Sequence, residues 1–246
     1  MNSVVDVVLL PHDLKPPLLL GRAAVVFDVL RATTTIASAF ATGITEIHAF
    51  ANLDEMKRAA GGATPKPITC GEQHALPAPG VDLGNSPRQW TPQHAGKTVY
   101  LCTTNGTVAM AAAKTAAVMF AGSLVNASAT AHAVAQIGKD AILICSGTNG
   151  QIALEDALGA GAVCQKLIDA GYTAASDTAR IVQRLFNSTR ESLVAALHDC
   201  QGGRNVKAAG LEPDIEFAAR LDAVPVLCRI DPLTLIIRPI AMAGVV

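Results

Sequence analysis

An acid, a base and a row of hydroxyls close one hydrophobic run: Val25 to Thr35 reads VVFDVLRATTT. A carboxylate at the end of an apolar strand is costly unless it is paired or bound to a metal. Asp28 is therefore a candidate Mg²⁺ ligand or nucleophile. Arg31 offers a planar fork suited to phosphate or sulfonate. Thr33 and Thr34 add hydroxyl donors beside it. The alternative is structural: Asp28 and Arg31 pair with each other in the core.

Two further stretches carry similar chemistry. Thr103 to Thr107 reads TTNGT. Asn105 and Gly106 take positive φ readily, so successive backbone N–H groups are expected to form an anion nest at a helix start. The hydroxyls of Thr103, Thr104 and Thr107 would add donors, although the same residues also read as an ordinary N-capped turn. Ala153 to Gly161 reads ALEDALGAG. It sets Glu155 and Asp156 about 100° apart at the start of a helix, placed either to share a cation or simply to oppose the helix dipole. No Cys is followed by Arg six residues on, and G-x-x-x-x-G-K-[ST], H-E-x-x-H and G-x-S-x-G are absent. The D-x-D-x-T loop of haloacid-dehalogenase phosphatases is not matched, since Leu30 stands where the second acid would be.

The elements that must position these groups alternate. Strands are expected at Val4–Leu10, Ala23–Val29, Glu46–Phe50, Thr98–Cys102, Val118–Ala121, Ala141–Cys145 and Val224–Ile230. Helices are expected at Thr34–Ala41, Leu53–Ala60, Thr107–Lys114, Ala127–Gln136, Ile152–Asp169, Thr178–Phe186, Ser192–His198 and Ile215–Leu221. Apolar strands alternating with helices predict an α/β fold of three layers, a mostly parallel sheet with helices on both faces. Three strand–turn–helix units resemble one another, starting at Val25, Thr98 and Ala141. Their polar turns, Asp28–Thr35, Thr103–Thr107 and Ser146–Gln151, are expected at the carboxyl edge of the sheet, where ligands bind. Lys66–Pro92, rich in Pro and Gly, reads as an irregular functional excursion.

Bulk properties narrow the class. A length of 246 residues suits one domain over 1–246, or two closely packed lobes, and 50% hydrophobic residues supply a core. The net charge of -1 shows no basic excess, which argues against nucleic acid. Six cysteines without C-x-x-C or zinc spacing suggest buried thiols in a reducing compartment, the cytoplasm. The opening MNSVVDVVLLPHD has no basic region and only a short apolar run, unlike a leader peptide. Gly106 to Ala135 is nearly uncharged but Ala-rich and broken by Gly122, Ser123 and Asn126, so no membrane span is expected. A homo-oligomer is compatible with this reading.

FDVLRATTT, Gly71–Glu72, DLGNSP at Asp82–Pro87, TTNGT, LVNASA at Leu124–Ala129 and ALEDALGAG occur in the order seen in the 2-phosphosulfolactate phosphatase (ComB-like) family, which the chain resembles from Ala23 to Val226. The tail GLEPDIEFAARLDAVPV is similar to that family's ending. The resemblance implies a Mg²⁺-dependent phosphatase of three-layer α/β fold, releasing phosphate from 2-phospho-3-sulfolactate on the route to coenzyme M. It implies Mg²⁺ held by acids among Asp28, Glu72, Glu155 and Asp156. Arg31 and the Thr103–Thr107 turn would hold the phosphoryl group. Arg88 or Arg204 would meet the sulfonate, with Asn85, Ser86 and Asn126 as polar supports. One departure stands out: the family commonly shows Gly-Glu-Arg where this chain has Gly71-Glu72-Gln73. Losing that cation points to the rival reading of another small phosphorylated acid as substrate. A non-enzymatic binder of anionic metabolites would need the turn but not the acids.

Overall fold

A computed structural model of the chain describes residues 3–240. The readings that involve Met1, Asn2 and residues 241–246 (the absence of a leader, the full extent of a domain over 1–246) fall partly outside the described residues.

The first half of the chain forms β1 (Val4–Val8), β2 (Ala23–Phe27), α1 (Ala32–Ala41), β3 (Glu46–Phe50), α2 (Leu53–Gly62), β4 (Ile68–Gln73), β5 (Leu76–Pro77), β6 (Thr98–Cys102), α3 (Gly106–Ala112) and β7 (Val118–Gly122). The second half adds α4 (Ala127–Ile137), β8 (Ala141–Cys145), α5 (Leu154–Asp169), β9 (Thr173–Ala174), α6 (Asp177–Thr189), α7 (Leu193–Asp199), α8 (Gln201–Ala208), α9 (Glu212–Ala218), β10 (Leu227–Ile230) and β11 (Ile236–Ile240). The strands at Glu46–Phe50, Thr98–Cys102 and Ala141–Cys145 have the expected bounds. The expected strand Val224–Ile230 is shortened to Leu227–Ile230, and the helix expected at Ile215–Leu221 runs instead from Glu212 to Ala218, with Pro213 in its first turn fitting a helix start.

The strands of the described residues belong to one mixed sheet, ordered β5-β4-β6-β3-β11-β10-β7-β2-β8-β1-β9. One parallel set is β9-β1-β8-β2-β7 and another is β3-β6-β4. Between them β7–β10, β10–β11 and β11–β3 are antiparallel. Three successive reversals make the two parallel sets run in opposite senses.

Burial on both faces follows from the sequence. Along β2, Ala23, Val25 and Phe27 enter one core while Ala24 and Val26 enter the other, as a period of two requires. The first core packs β2, β7 and β8 against α4, α5 and α6. The second gathers α1 and α3 with strands from both parallel sets, including Ile47, Val99, Leu101, Met119 and Ile144. Helices thus cover both faces, giving three layers. Neighbouring strands rotate by about 20–25° each, so the sheet curls around α1 and α3. That curl brings the ends of β2 and β6 together although four strands lie between them: a Cβ on Gly106, after β6, would stand 2.7 Å from Asp28 Oδ2, after β2.

Lys66–Pro92 is not wholly irregular. Ile68–Thr69–Cys70–Gly71 pairs in parallel with β6, and Glu72 and Gln73 pair back with Pro77 and Leu76 in a hairpin. No described helix is long and apolar enough to cross a membrane.

Candidate functional site

A cleft of about 610 Å³ opens where the strand ends converge. Its walls come from the β2–α1 turn (Asp28, Leu30, Arg31), the β4–β5 hairpin (Glu72 to Ala75), Asn85, the turn after β6 (Thr104, Asn105), the turn after β8 (Thr148, Asn149) and α8 (Gly202, Asn205, Val206, Ala208). All three polar turns expected to share a crevice do so. They arrive from two opposed parallel sets on a curled sheet rather than along one carboxyl edge.

Asp28 forms the buried floor, 6% exposed. Its Oδ1 accepts from Ala32 N at 3.1 Å, and its own backbone is locked by Thr33, whose Oγ1 donates to Asp28 O and accepts from Asp28 N. The Asp28 pKa is raised to about 6, chiefly by burial, with the Ala32 N–H opposing the rise and the charges of Glu72 and Glu155 adding to it. Asp28 does not pair with Arg31. The partner of Arg31 is Asp214 in α9, with Nη1 to Oδ2 at 2.8 Å, and Arg31 Nη2 also donates to the carbonyl of Ala75.

Glu72 ties two walls together: its Oε2 accepts from Ala75 N at 3.1 Å and its Oε1 from Thr104 N at 2.8 Å. His74 and Ala75 form the two-residue turn with φ of 53° and 64°. Such turns suit Asn or Gly; here the Ala75 N–H is held by Glu72 and its carbonyl by Arg31, so two charged groups fix a strained turn.

Gly106 is needed for a different reason from the one expected. Neither it nor Asn105 has positive φ; Asn105 sits at φ -116° as the residue preceding α3. Gly106 lets α3 approach: a Cβ would meet Asp28 Oδ2 at 2.7 Å and Ala32 Cβ at 2.8 Å. The Gly106 N–H in turn lowers the Asp28 pKa.

Several expected contributors lie elsewhere. Thr34 donates to Val29 O and meets Ser123 Oγ at 2.6 Å. Thr103 and Thr107 close the turn on themselves, Thr107 Oγ1 donating to Thr103 O and Thr107 N to Thr103 Oγ1. Asn126 caps Ser123 N and donates to the carbonyls of Ala121 and Val226. Arg204 is bound to Asp199 and Gln201 at the exposed side of α8, and Arg88 is exposed and does not line the cleft. Ser86 donates to Asp214 Oδ1 at 2.7 Å. Arg31 is thus the one Lys or Arg lining the cleft among the described residues.

The paired acids of α5 divide in role. Asp156 is fully used: Oδ1 accepts from Val29 N at 2.8 Å, and Oδ2 accepts from Ser146 Oγ at 2.9 Å and Gly147 N at 3.0 Å. It locks the turns after β2 and β8 together. Its pKa is pushed well up by burial and then by the charges of Asp28 and Glu155. Glu155 is 1% exposed with Oε2 unpartnered, lying under α8, where a Cβ on Gly202 would strike Oε1 at 1.9 Å.

No group of three or more His, Cys, Asp and Glu side chains forms a ready metal cage among the described residues. Mg²⁺ asks for less. It keeps waters and takes one or two carboxylates plus substrate phosphate. Asp28 at the floor, crowded by the charges of Glu72 and Glu155, fits such an ion, and the orphaned Glu155 Oε2 marks uncompensated negative charge beside it.

α8 and the β4–β5 turn supply walls that the sequence reading did not assign. The Gly202–Gly203 pair hid α8, because glycine lowers helix propensity; only its polar/apolar spacing (Val206 buried, Asn205 not) hinted at it. Asp214 lies within the tail GLEPDIEFAARLDAVPV, where no local pattern in the sequence marks it as a site residue.

A family model described as 2-phosphosulpholactate phosphatase matches residues 8–231. A probable 2-phosphosulfolactate phosphatase of Carboxydothermus hydrogenoformans is 36% identical over 91% of this chain and 91% of its own length. Relatives with the same description from Thermotoga petrophila and Deinococcus radiodurans are each 35% identical, covering 82% and 85% of this chain and 86% and 88% of their own lengths.

Proposed function

Since the chain belongs to the 2-phosphosulfolactate phosphatase family, we propose that it hydrolyses 2-phospho-3-sulfolactate to 3-sulfolactate and phosphate, with Mg²⁺ as cofactor and a place on the route to coenzyme M. The observation that carries this reading is the cleft itself: a buried carboxylate and a buried guanidinium only three residues apart in sequence, Asp28 and Arg31, line the same cleft.

Arg31 forks onto the phosphoryl oxygens, using the N–H groups left over from Asp214 and Ala75. The N–H groups of Thr104, Gly106 and Thr107 are already taken by Glu72, Asp28 and Thr103, so the Thr104 hydroxyl and the Asn105 side-chain amide, both lining the cleft, serve as the further donors. Asp28 holds the cation side of the phosphoryl group, with Glu72 and Glu155 adding negative potential. When bound, Mg²⁺ neutralises charge on the phosphoryl oxygens. Thr148, Asn149 and Asn205 face the remainder of the substrate with neutral donors. All six cysteines are free and buried, which supports a reducing cytoplasmic setting.

One observation favours a second reading. Gln73 stands where the resembled family commonly has Arg, and neither Arg88 nor Arg204 lines the cleft. A phosphorylated acid without the sulfonate would then be the better substrate. Comparing kcat/KM for 2-phospho-3-sulfolactate and for phospholactate, which lacks only the sulfonate, decides between them. We expect the sulfonate to raise kcat/KM; equal or better turnover of phospholactate would favour the second reading.

A further inference from the structure

We propose that Asp214 is the positioning residue of the cleft: it sets the Arg31 fork and anchors the Asn85–Ser86 wall, and phosphate affinity depends on it through Arg31. The inference rests on reading the cleft as a phosphate site. Asp214 is 1% exposed and belongs to α9, far in sequence from every strand-end turn. Its two oxygens are divided between two cleft segments. Oδ2 takes Arg31 Nη1 at 2.8 Å and Oδ1 takes Ser86 Oγ at 2.7 Å. Asn85, the residue before Ser86, lines the cleft with a buried Oδ1 that has no protein partner, while its carbonyl accepts from Thr35 Oγ1 at 3.0 Å. One carboxylate therefore orients the lining cation and fixes the backbone that presents a ligand-facing amide.

A guanidinium has five donors in a rigid plane. Holding Nη1 on Asp214 and Nη2 on the Ala75 carbonyl fixes that plane and leaves the remaining N–H groups to face the cleft. A long side chain without the Asp214 contact would sample several rotamers, and its fork would be mis-aimed for bidentate contact with phosphate. An ion pair serving only stability would show the same 2.8 Å contact. The two roles differ in what depends on Arg31.

The test is a double-mutant cycle with inorganic phosphate and Mg²⁺ as the probe. Binding is measured by calorimetry on wild type, Asp214→Asn, Arg31→Met and the double variant, each shown to be folded by near-UV circular dichroism. We expect Asp214→Asn to weaken phosphate about 10-fold in the wild-type background and by less than about two-fold once Arg31 is gone, a coupling in the usual range for contacting residues. Equal weakening in both backgrounds, or none in either, would overturn the positioning role. If Asp214→Asn does not fold, Asp214→Glu, which keeps the charge and moves it by one methylene, takes its place in the same cycle. Wild type that fails to bind phosphate would instead overturn the phosphate-site reading itself.

Discussion

At the scale of single residues, Asp28 decides most. Its pKa is raised from 3.8 to about 6, chiefly by burial. The folded state then holds a proton between these values that the unfolded state has lost, so stability falls as pH rises from about 4 to about 6 and levels off above. The shift corresponds to a cost on the order of 3 kcal/mol at neutral pH. Asp28→Asn should therefore raise the apo melting temperature at pH 8, with the gain shrinking toward pH 4, and calorimetric scans across that range check it. A lower melting temperature at pH 8 would make Asp28 a structural carboxylate. Gly106→Ala places a Cβ against Asp28 Oδ2. We expect kcat/KM to fall by about 10² with circular dichroism unchanged, as when a group acting on the transition state is displaced; normal turnover would mean that the close approach has no catalytic role. Asp28, Arg31 and Gly106 were legible in sequence because a charge after an apolar strand and a glycine in a polar turn each break a local rule. The partner of Arg31 was not: Asp214 lies 183 positions away, and no local pattern connects them.

At the scale of elements, the β4–β5 hairpin holds Glu72 and receives Arg31. Ala75 has φ 64°, a conformation costing a non-glycine residue roughly 1 kcal/mol or more. Ala75→Gly keeps both backbone hydrogen bonds and removes that cost. The expected result is a melting temperature higher by about 2–4 °C together with a raised KM, because the turn that fixes Glu72 and Arg31 loosens. Thermal scans and steady-state kinetics on the same variant check both parts; an unchanged KM would show that the turn's rigidity does not serve the cleft. This hairpin was obscured in the sequence by the Pro and Gly around it, and the cleft wall of α8 by Gly202 and Gly203. By contrast β2, β6 and β8 were plain, since buried strands read as continuous apolar runs.

At the scale of the whole molecule, the β10–β11 hairpin joins two opposed parallel sets and so closes the cleft whose walls come from both. Ile237, 0% exposed in the shared core, lies in β11 opposite Ile230 and Ile47. Ile237→Ala should cost about 2–5 kcal/mol, seen as a shift of the urea midpoint, whereas a neutral effect would mean that the seam adds little. The layer architecture was legible from alternation alone; β11 and the reversal of sense were not, because strand order depends on long-range pairing that composition does not encode. We propose that this curled sheet assembles a Mg²⁺-dependent phosphatase on Asp28. It is tested most directly by phosphate release from 2-phospho-3-sulfolactate, followed for wild type and Asp28→Asn with Mg²⁺ and with excess chelator. We expect release by wild type with Mg²⁺, loss of that release in chelator, and a fall of about 10² or more for Asp28→Asn. Full release by wild type in chelator, or by Asp28→Asn with Mg²⁺, would contradict it.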